Sequence, residues 1–323
     1  MQAVAGMGLL GLSTTSGAQQ PAAAATVTLV VPYAAGGVTD TLARALARRL
    51  SEAWGNAVVV DNRPGGGTVI GTAAVARAAG DGATLLVTSF GFVGNQLMLP
   101  NLPYAPSALA PVSLIGESTG VLLVHPSVPA RNVSELVAWM RARAAAGANP
   151  VTFASSGNGS SVHVMAEMFG AAAGVPITHV PYRGNAPALN DLMGGQVQAM
   201  FDSTGALAHV KTGRLRALAV STAQRSMLAP DLPTVAESGI PSFARFDAGS
   251  WFGVFVPAPA PPALQARLHA DINAALVSKD MPEDIMKTGV EPRVVSQTAF
   301  SEHLQRQLST WGPVIREKNI RPD

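Results

Sequence analysis

Short runs of β-branched and apolar residues alternate with longer segments of helical periodicity along this chain. Residues 27–31 form one such run before Pro32, which is typical of a buried strand. From Leu42 to Trp54 large apolar residues recur every four positions and stop at Gly55, which predicts an amphipathic helix with a glycine cap. Because this alternation continues along the chain, we predict an α/β fold with mainly parallel sheets.

The remaining elements follow from the same two periodicities. The other predicted strands are residues 57–60, 84–88, 120–124, 151–154, 177–180, 197–201, 215–220 and 251–256. The other predicted helices are residues 70–79, 132–146, 162–173, 188–193, 263–277 and 299–318. Two parts of the chain, residues 27–54 and 151–174, share the same order of a strand, a glycine loop and a helix.

The turns within these two units are rich in glycine and small residues. Tyr33–Gly37 precedes the first helix, and Ser155–Ser161 precedes the helix that starts near Val162. Unpaired N–H groups at a helix start carry partial positive charge, and glycine lets an anion approach them closely. Facing each other across a cleft, the loops would bind a carboxylate or phosphate. Glycine-rich turns are also common as plain connections, so a structural interpretation stays open for each.

Several signatures of catalysis and nucleotide binding are missing. The chain has no P-loop, no G-x-S-x-G and no H-E-x-x-H motif, and the G-x-G that begins at Gly157 lacks its third glycine. Among the scattered histidines only His163 lies beside a candidate loop. Asp40 either caps the first helix or lines the site. Arg183 either pairs with a ligand anion or lies on the surface, and Asp202 either accepts from a ligand or caps a helix.

Composition narrows the function further. Only 13% of the 323 residues are charged, against about a quarter in typical soluble domains, and the net charge is +2. The longest basic run is Arg48–Arg49, which argues against nucleic acid as a partner. The absence of cysteine excludes thiol nucleophiles, thiolate metal sites and disulfides. We also expect no metal and no cofactor.

The first 25 residues have the character of a secretory signal. An apolar run from Ala3 to Leu12 precedes small residues suited to cleavage after Ala18 or within Ala22–Ala25, but the positive n-region is missing. Either the true start lies upstream, or the segment is an alanine-rich leader. The apolar run is too short to span a bilayer, so we expect a soluble mature protein.

Eight segments carry a family resemblance, which extends along the chain from about Val27 to Asp323. They are V-P-Y-A-A-G-G-V-T-D (31–40), N-R-P-G-G-G-T-V-I-G (62–71), A-P-V-S-L-I (110–115), F-A-S-S-G-N-G-S-S-V-H (153–163), V-P-Y-R-G (180–184), L-R-A-L-A-V-S-T (215–222), L-P-T-V-A-E-S-G (232–239) and W-F-G-V-F-V-P-A (251–258). In this order they resemble the Bug-type, TctC-like solute-binding proteins of tripartite tricarboxylate transporters. Gly66 and Thr68 depart from the family's usual N-R-P-G-A-G-G, and Ala105 replaces a frequent Asp.

The resemblance implies a two-lobed periplasmic-binding-protein fold, the type II Venus flytrap with mainly parallel or mixed sheets. It implies a periplasmic monomer, not an enzyme, that delivers a small carboxylate (a di- or tricarboxylate, an aromatic acid or an amino acid) to a membrane permease. The expected lobes are residues 26–120 with 250–323, and residues 121–249. The residues expected to bind ligand are Tyr33, Ala34, Ala35, Gly36, Gly37, Asp40, Ser89, Ser155, Ser156, Gly157, Asn158, Gly159, Ser160, Ser161, His163, Tyr182, Arg183, Gly184 and Asp202.

Two other functions stay open at this level. A loaded binding protein also serves as the partner of a membrane sensor kinase, and both functions use the same lobe closure. An enzyme acting on a small acid would need an acid, base or nucleophile in the cleft. Only His163, Asp40 and Asp202 are candidates for that chemistry.

Overall fold

Two β-sheets flanked by helices organise the chain in a computed structural model, which describes residues 26–322. The expected leader, residues 1–25, lies outside the described residues. The strands are β1 Thr26–Val31, β2 Ala57–Asn62, β3 Thr84–Ser89, β4 Leu109–Ser118, β5 Gly120–Val124, β6 Val151–Ser155, β7 Ile177–Pro181, β8 Ala199–Ser203, β9 Arg216–Val220, β10 Ser250–Pro257 and β11 Glu291–Pro292. The helices are α1 Val38–Trp54, α2 Val69–Ala76, α3 Gly91–Met98, α4 Val133–Ala145, α5 Ser161–Ala173, α6 Asn185–Met193, α7 Leu207–Lys211, α8 Pro262–Leu276, α9 Met281–Met286 and α10 Gln297–Glu317.

The first sheet has six strands in the order β11-β4-β10-β3-β1-β2, and we call the part of the chain built on it lobe one. Strands β2, β1 and β3 are parallel, whereas β10 runs antiparallel to both β3 and β4. The leucines of the first periodic pattern, Leu42, Leu46 and Leu50, are at most 1% exposed and pack on this sheet. The amphipathic pattern therefore identifies the buried face of α1, and Gly55 caps it in the left-handed conformation.

The second sheet has five strands in the order β7-β6-β8-β5-β9, and it forms lobe two. Strands β7, β6 and β8 are parallel, and β5 is antiparallel to β8 and β9. Both sheets are thus mixed, which confirms the expected α/β fold with mainly parallel or mixed sheets, and parallel pairing joins three strands in each. The antiparallel strands β4, β5 and β10 are those that carry the chain from one lobe to the other or lie directly beside that crossing.

Two crossings join the lobes at adjacent points. The first lies at Thr119, between β4 and β5, and the second leads into β10, whose Ser250 pairs with Ser118 of β4. Ser221 connects the two crossings. Its hydroxyl accepts the Gly120 N–H at 3.0 Å and donates to the Ala248 carbonyl at 2.7 Å. These adjacent crossing segments connect the two lobes.

The hydrophobic pattern does not predict α3, α7, α9, β4 or β11. Glycine weakens the intrinsic helical preference of α3, yet Gly94 is needed there because a Cβ would lie 2.7 Å from the Met98 methyl group. Proline inside β4, at Pro111, weakens its strand signal. Tertiary packing thus overrides local preference in both elements. Among the described residues, no helix has the length and apolar character needed to cross a membrane.

Candidate functional site

A cavity of about 450 Å³ lies between the lobes at the carboxyl ends of four strands. The turns β1–α1, β2–α2, β3–α3 and β6–α5 all contribute to its wall. The lining residues are Pro32, Tyr33, Ala34, Pro64, Gly65, Gly67, Thr68, Ser89, Phe90, Gly91, Asn95, Met98, Ser156, Gly157, Asn158, Gly159, Ser160, Ser161, Ser250 and Pro322. The fold therefore brings the two glycine loops singled out in the sequence to one cavity.

The β1–α1 loop is held by a carboxylate behind it. Asp40, 3% exposed, accepts hydrogen bonds from the Gly36 N–H at 2.8 Å, from Arg44 Nε at 3.0 Å and from Asn62 Nδ2 at 3.0 Å. Burial by itself would raise the pKa of Asp40, but the hydrogen bonds from Arg44, Gly36 and Asn62 outweigh it and lower the pKa. Asp40 thus shapes the loop, and its carboxylate is not among the groups that line the cavity.

The β2–α2 turn has four consecutive residues in positive φ. Gly65, Gly66 and Gly67 have φ values of 122°, 57° and 59°, and Thr68 follows at 83°. Positive φ is costly for a β-branched residue. Asn95 of α3 stabilises the turn, because its Nδ2 donates to the Gly67 carbonyl at 2.7 Å and to the Thr68 hydroxyl at 3.0 Å.

The β3–α3 turn closes the floor of the cavity. Ser89 Oγ lies 3.3 Å from Ser250 Oγ, which joins the end of β3 to the start of β10, the strand that follows the second crossing. Gly91 allows close packing here, since a Cβ would lie 2.7 Å from the Thr68 hydroxyl oxygen and 3.0 Å from the Tyr33 hydroxyl. Burial raises the pKa of Tyr33, and hydrogen bonds at Gly91 and Ser89 offset only part of this effect. The Tyr33 phenol is therefore neutral at physiological pH.

The β6–α5 loop is braced by its own serines. Ser155 Oγ donates to the Gly157 carbonyl and accepts the Gly157 N–H, both at 3.1 Å. Ser160 caps α5 by accepting the His163 N–H at 3.3 Å, and its hydroxyl donates to the Gly157 carbonyl at 2.7 Å. Since α5 begins at the cavity wall, the unpaired N–H groups of its first turn lie there as well.

A pair of histidines supports this loop from behind. The rings of His163 and His179 stack at 3.5 Å between centroids. His163 Nδ1 accepts the Gly159 N–H at 3.1 Å, and His179 Nε2 lies 2.6 Å from Ser155 Oγ. Both imidazoles therefore position the loop, and neither lines the cavity.

The cavity wall carries no Asp, Glu, Lys, Arg or His side chain among the described residues that line it. Its polar groups are hydroxyls, the Asn95 and Asn158 side chains, and backbone at the starts of α3 and α5. Hydrogen-bond donors of this kind bind an anion through dipoles rather than through a full opposite charge. The arrangement suits a small ligand with an anionic group that is excluded from bulk water.

The expected site residues divide into two groups. Nine of the nineteen line the cavity: Tyr33, Ala34, Ser89, Ser156, Gly157, Asn158, Gly159, Ser160 and Ser161. The other ten support it or lie apart from it: Ala35, Gly36, Gly37, Asp40, Ser155, His163, Tyr182, Arg183, Gly184 and Asp202.

The segment after β7 explains part of the second group. The N–H groups of Tyr182 and Gly184 donate to the carbonyls of Ser155 and Ser156 at 3.0 and 3.2 Å, so this backbone supports the β6–α5 loop. The Tyr182 hydroxyl donates to Asp191 at 2.6 Å, and Tyr182 is not among the residues that line the cavity. Burial and the neighbouring Asp191 carboxylate raise the pKa of Tyr182 to about 12.

Several lining residues were not among the expected site residues. Gly65, Gly67 and Thr68 belong to the loop whose motif departs from the family pattern, and that departure was the available signal. Met98, Ser250 and Pro322 come from distant parts of the chain and carry no local signal of their own. The sequence therefore identified the two glycine loops and Ser89, but not the other residues of the walls between them.

The fold and this inter-lobe cavity define a periplasmic binding protein of the two-lobed class. Residues 42–320 match the model of the tripartite tricarboxylate transporter family receptor, TctC. The chain belongs to this family. It is 37% identical over 317 residues to protein BugT of Bordetella pertussis, covering 95% of each chain.

Solved structures are similar over nearly the whole chain. A protein of R. palustris, Rpa4515 with adipate, is 34% identical with a TM-score of 0.76, covering 92% of this chain and 98% of that one. The periplasmic binding protein BugD is 31% identical with a TM-score of 0.73, covering 92% and 99%. MatC of Rhodopseudomonas palustris with bound malate is 29% identical with a TM-score of 0.72, covering 90% and 98%. These neighbours, like the family, are solute-binding proteins.

Proposed function

We propose that this protein captures a small carboxylate between its lobes and delivers it to a tripartite tricarboxylate-type membrane permease. The observation that carries the proposal is the uncharged, hydroxyl-rich cavity at the starts of α3 and α5. Its volume of about 450 Å³ lies within the usual range for small-molecule sites. The adipate and malate in two structural neighbours support a dicarboxylate as the first class to test.

The mechanism we propose is hinge closure. Residues 26–120 with 250–323 would move as one lobe and residues 121–249 as the other. The carboxylate would bridge the β6–α5 loop and the turns of lobe one, so it would bind the closed form more tightly and shift the population toward it. A decrease in the radius of gyration on ligand addition, measured by small-angle scattering, is the expected result.

We also propose that the protein is a binder without catalytic activity. The three candidates for acid, base or nucleophile, Asp40, His163 and Asp202, are not among the residues that line the cavity, and each hydrogen-bonds to protein groups. We expect bound carboxylates to be recovered chemically unchanged after prolonged incubation with the purified protein. Conversion of any probe to a product, followed by NMR, would contradict this.

The location and assembly are part of the same proposal. We expect residues 1–25 to be removed on export and the mature chain to act as a periplasmic monomer. Intact mass of the protein from a periplasmic fraction, together with light scattering, measures both. Loss of carboxylate uptake on deletion of the permease genes is the expected cellular result.

A matched pair of glycine variants tests the site. Native mass spectrometry and a thermal-shift panel of carboxylic acids first identify a ligand, whose dissociation constant is then measured by calorimetry. Gly159→Ala places a Cβ 3.0 Å from Met98 Sδ and Pro322 Cα at φ +72°, so we expect binding to weaken about tenfold or more. Gly174→Ala at the other end of α5 has nearly the same φ, +68°, but open space.

The control variant, Gly174→Ala, separates the effect of backbone strain from an effect on the ligand site. Each variant should lose about 1 kcal/mol of stability, because each forces alanine into left-handed backbone. Gly159→Ala should lose about 1–3 kcal/mol more through its close contact with Pro322. Only Gly159→Ala should lose affinity. Equal affinities in the two variants would show that the β6–α5 loop does not bind the ligand.

A further inference from the structure

Helix α10 joins the lobes at a third place, away from the two crossings. It packs against α3 of lobe one and α5 of lobe two. Trp311 is fully buried and its ring centroid lies 4.5 Å from that of Phe90. Ile315 and Ile320 belong to the same apolar cluster, which also contains Met98 of lobe one and Phe169 of lobe two. The chain after α10 is therefore anchored at the boundary between the lobes.

The end of α10 directs the following residues toward the ligand cavity. Asn319 adopts left-handed backbone, with φ of 48°, and the Ile320 N–H donates back to the Ile315 carbonyl at 3.0 Å. Ile320 is only 3% exposed, so its burial holds this reversal. Arg321 and Pro322 then run back along α3 instead of continuing the helix.

Arg321 clamps the segment to α3. Its Nη1 donates to the carbonyl of Met98, the last residue of that helix. The carbonyls at a helix end lack intrahelical partners and carry partial negative charge, which an arginine satisfies well. Met98 itself lines the cavity, so this contact places the next residue, Pro322, at the cavity wall.

Pro322 lies between the two glycine turns of opposite lobes. A Cβ on Gly67 of lobe one would lie 3.9 Å from Pro322 Cβ, and a Cβ on Gly159 of lobe two would lie 3.0 Å from Pro322 Cα. Gly159 thus leaves room for the Pro322 backbone, whereas a Cβ on Gly67 would make only an ordinary van der Waals contact with the proline ring. With Met98, Pro322 forms an apolar wall beside the otherwise polar β6–α5 loop.

We propose that Ile320–Pro322, which we call the closing segment, is a third wall of the ligand cleft. Pro322 contacts the part of the ligand that does not carry the bound carboxylate and thereby selects ligands by length. Arg321 is a positioning residue, since it acts by holding Pro322. This inference rests on the proposed carboxylate binding at the same cavity.

The test compares two dicarboxylates of different length in the full-length protein. Calorimetry gives the dissociation constants of malate and adipate for the parent, Pro322→Gly, Arg321→Ala and the control Lys318→Ala. Lys318 belongs to the same turn but does not line the cavity. We expect Pro322→Gly and Arg321→Ala to change the ratio of the two constants about fivefold or more, and Lys318→Ala to keep it within about twofold.

An unchanged ratio in both Pro322→Gly and Arg321→Ala would overturn the inference, whatever happens to stability. If the parent protein binds neither malate nor adipate, the proposal of dicarboxylate binding is wrong. The closing segment is then tested without ligand, by hydrogen exchange. Arg321→Ala should then speed exchange in peptides covering Gly65–Thr68 and Gly157–Ser161 together, while Lys318→Ala should not. Unchanged exchange in both peptides would overturn the inference in that case.

Discussion

Asp202 illustrates how the surroundings of a single residue decide what it does. The sequence offers it as a ligand acceptor or a cap, and the structure buries it to 2% exposure at the end of β8. Its Oδ1 accepts from Asn185 Nδ2 and, at 2.7 Å, from the Ser203 N–H. Burial raises the pKa of Asp202 from 3.8 to about 6, and the hydrogen bonds from Ser203 and Asn185 offset this only in part.

The raised pKa predicts a pH-dependent effect of Asp202→Asn. The ionised carboxyl is disfavoured in the folded protein, so its contribution to stability is complete below about pH 4 and is lost as pH rises through 6. A shift of about two units corresponds to on the order of 2–3 kcal/mol. We therefore expect Asp202→Asn to be more stable than the parent at pH 7.5, and this advantage to shrink toward zero at pH 4.5.

Urea unfolding at the two pH values measures this difference. Asp231→Asn, which removes an exposed carboxyl, serves as the control and should show no such trend. An Asp202→Asn effect of equal size at both pH values would mean that the carboxyl titrates normally.

At the scale of elements, the start of α2 combines strain with support from a neighbouring helix. Thr68 precedes the helix at φ of 83°, where the resembling family usually has glycine. The Asn95 amide of α3 compensates by donating to its hydroxyl at 3.0 Å. A residue that is unfavourable for its own turn is thus tolerated because a second element holds it.

This balance predicts opposite consequences for two substitutions at Thr68. Thr68→Ala keeps the strain and loses the hydrogen bond, whereas Thr68→Gly loses the bond but relieves the strain. We expect the glycine variant to be the more stable by about 1 kcal/mol in urea unfolding. At Thr28, in the extended backbone of β1, alanine should instead be the more stable replacement. If the glycine variant were the more stable one at both Thr68 and Thr28, or the alanine variant at both, the backbone strain assigned to Thr68 would be contradicted.

At the scale of the whole molecule, one buried carboxylate links the two lobes beside the first crossing. Glu291 of lobe one is 2% exposed, and its Oε1 accepts from Ser226 of lobe two and from Thr119 at the first crossing, the latter at 3.4 Å. Arg293 Nη2 lies 3.8 Å from its other oxygen. A charge in this position requires donors, so the Ser226 contact ties the relative placement of the lobes to stability.

Ser226→Ala should therefore both destabilise and open the protein. Loss of a hydrogen bond to a buried charge costs about 1.5–3 kcal/mol. We expect lower stability in urea and a larger radius of gyration of the ligand-free protein in small-angle scattering. Ser309→Ala, on the exposed face of α10, is the control. An unchanged radius of gyration would show that Glu291 does not influence lobe placement.

Much of the architecture could be predicted because its signals are local. The leucine pattern of α1, the β-branched run of β1 and the two glycine loops each depend on residues close in sequence. The two similar strand–glycine loop–helix units also predicted that both loops lie at strand ends, where α/β proteins bind ligands. Helix α3 and strand β4 were missed because tertiary packing stabilises glycine and proline there against local preference.

Which residues line the cavity and which only support its loops depended on tertiary structure. By itself, the sequence determined the low charge, the glycine-rich turns and the family, and with them the expectation of an anion held by dipoles. Only the folded chain decided that Asp40 and His163 brace the loops rather than line the cavity, and that Pro322 reaches its wall. The physical reason is that a polar group's task is set by its partners, and those partners lie far apart in sequence.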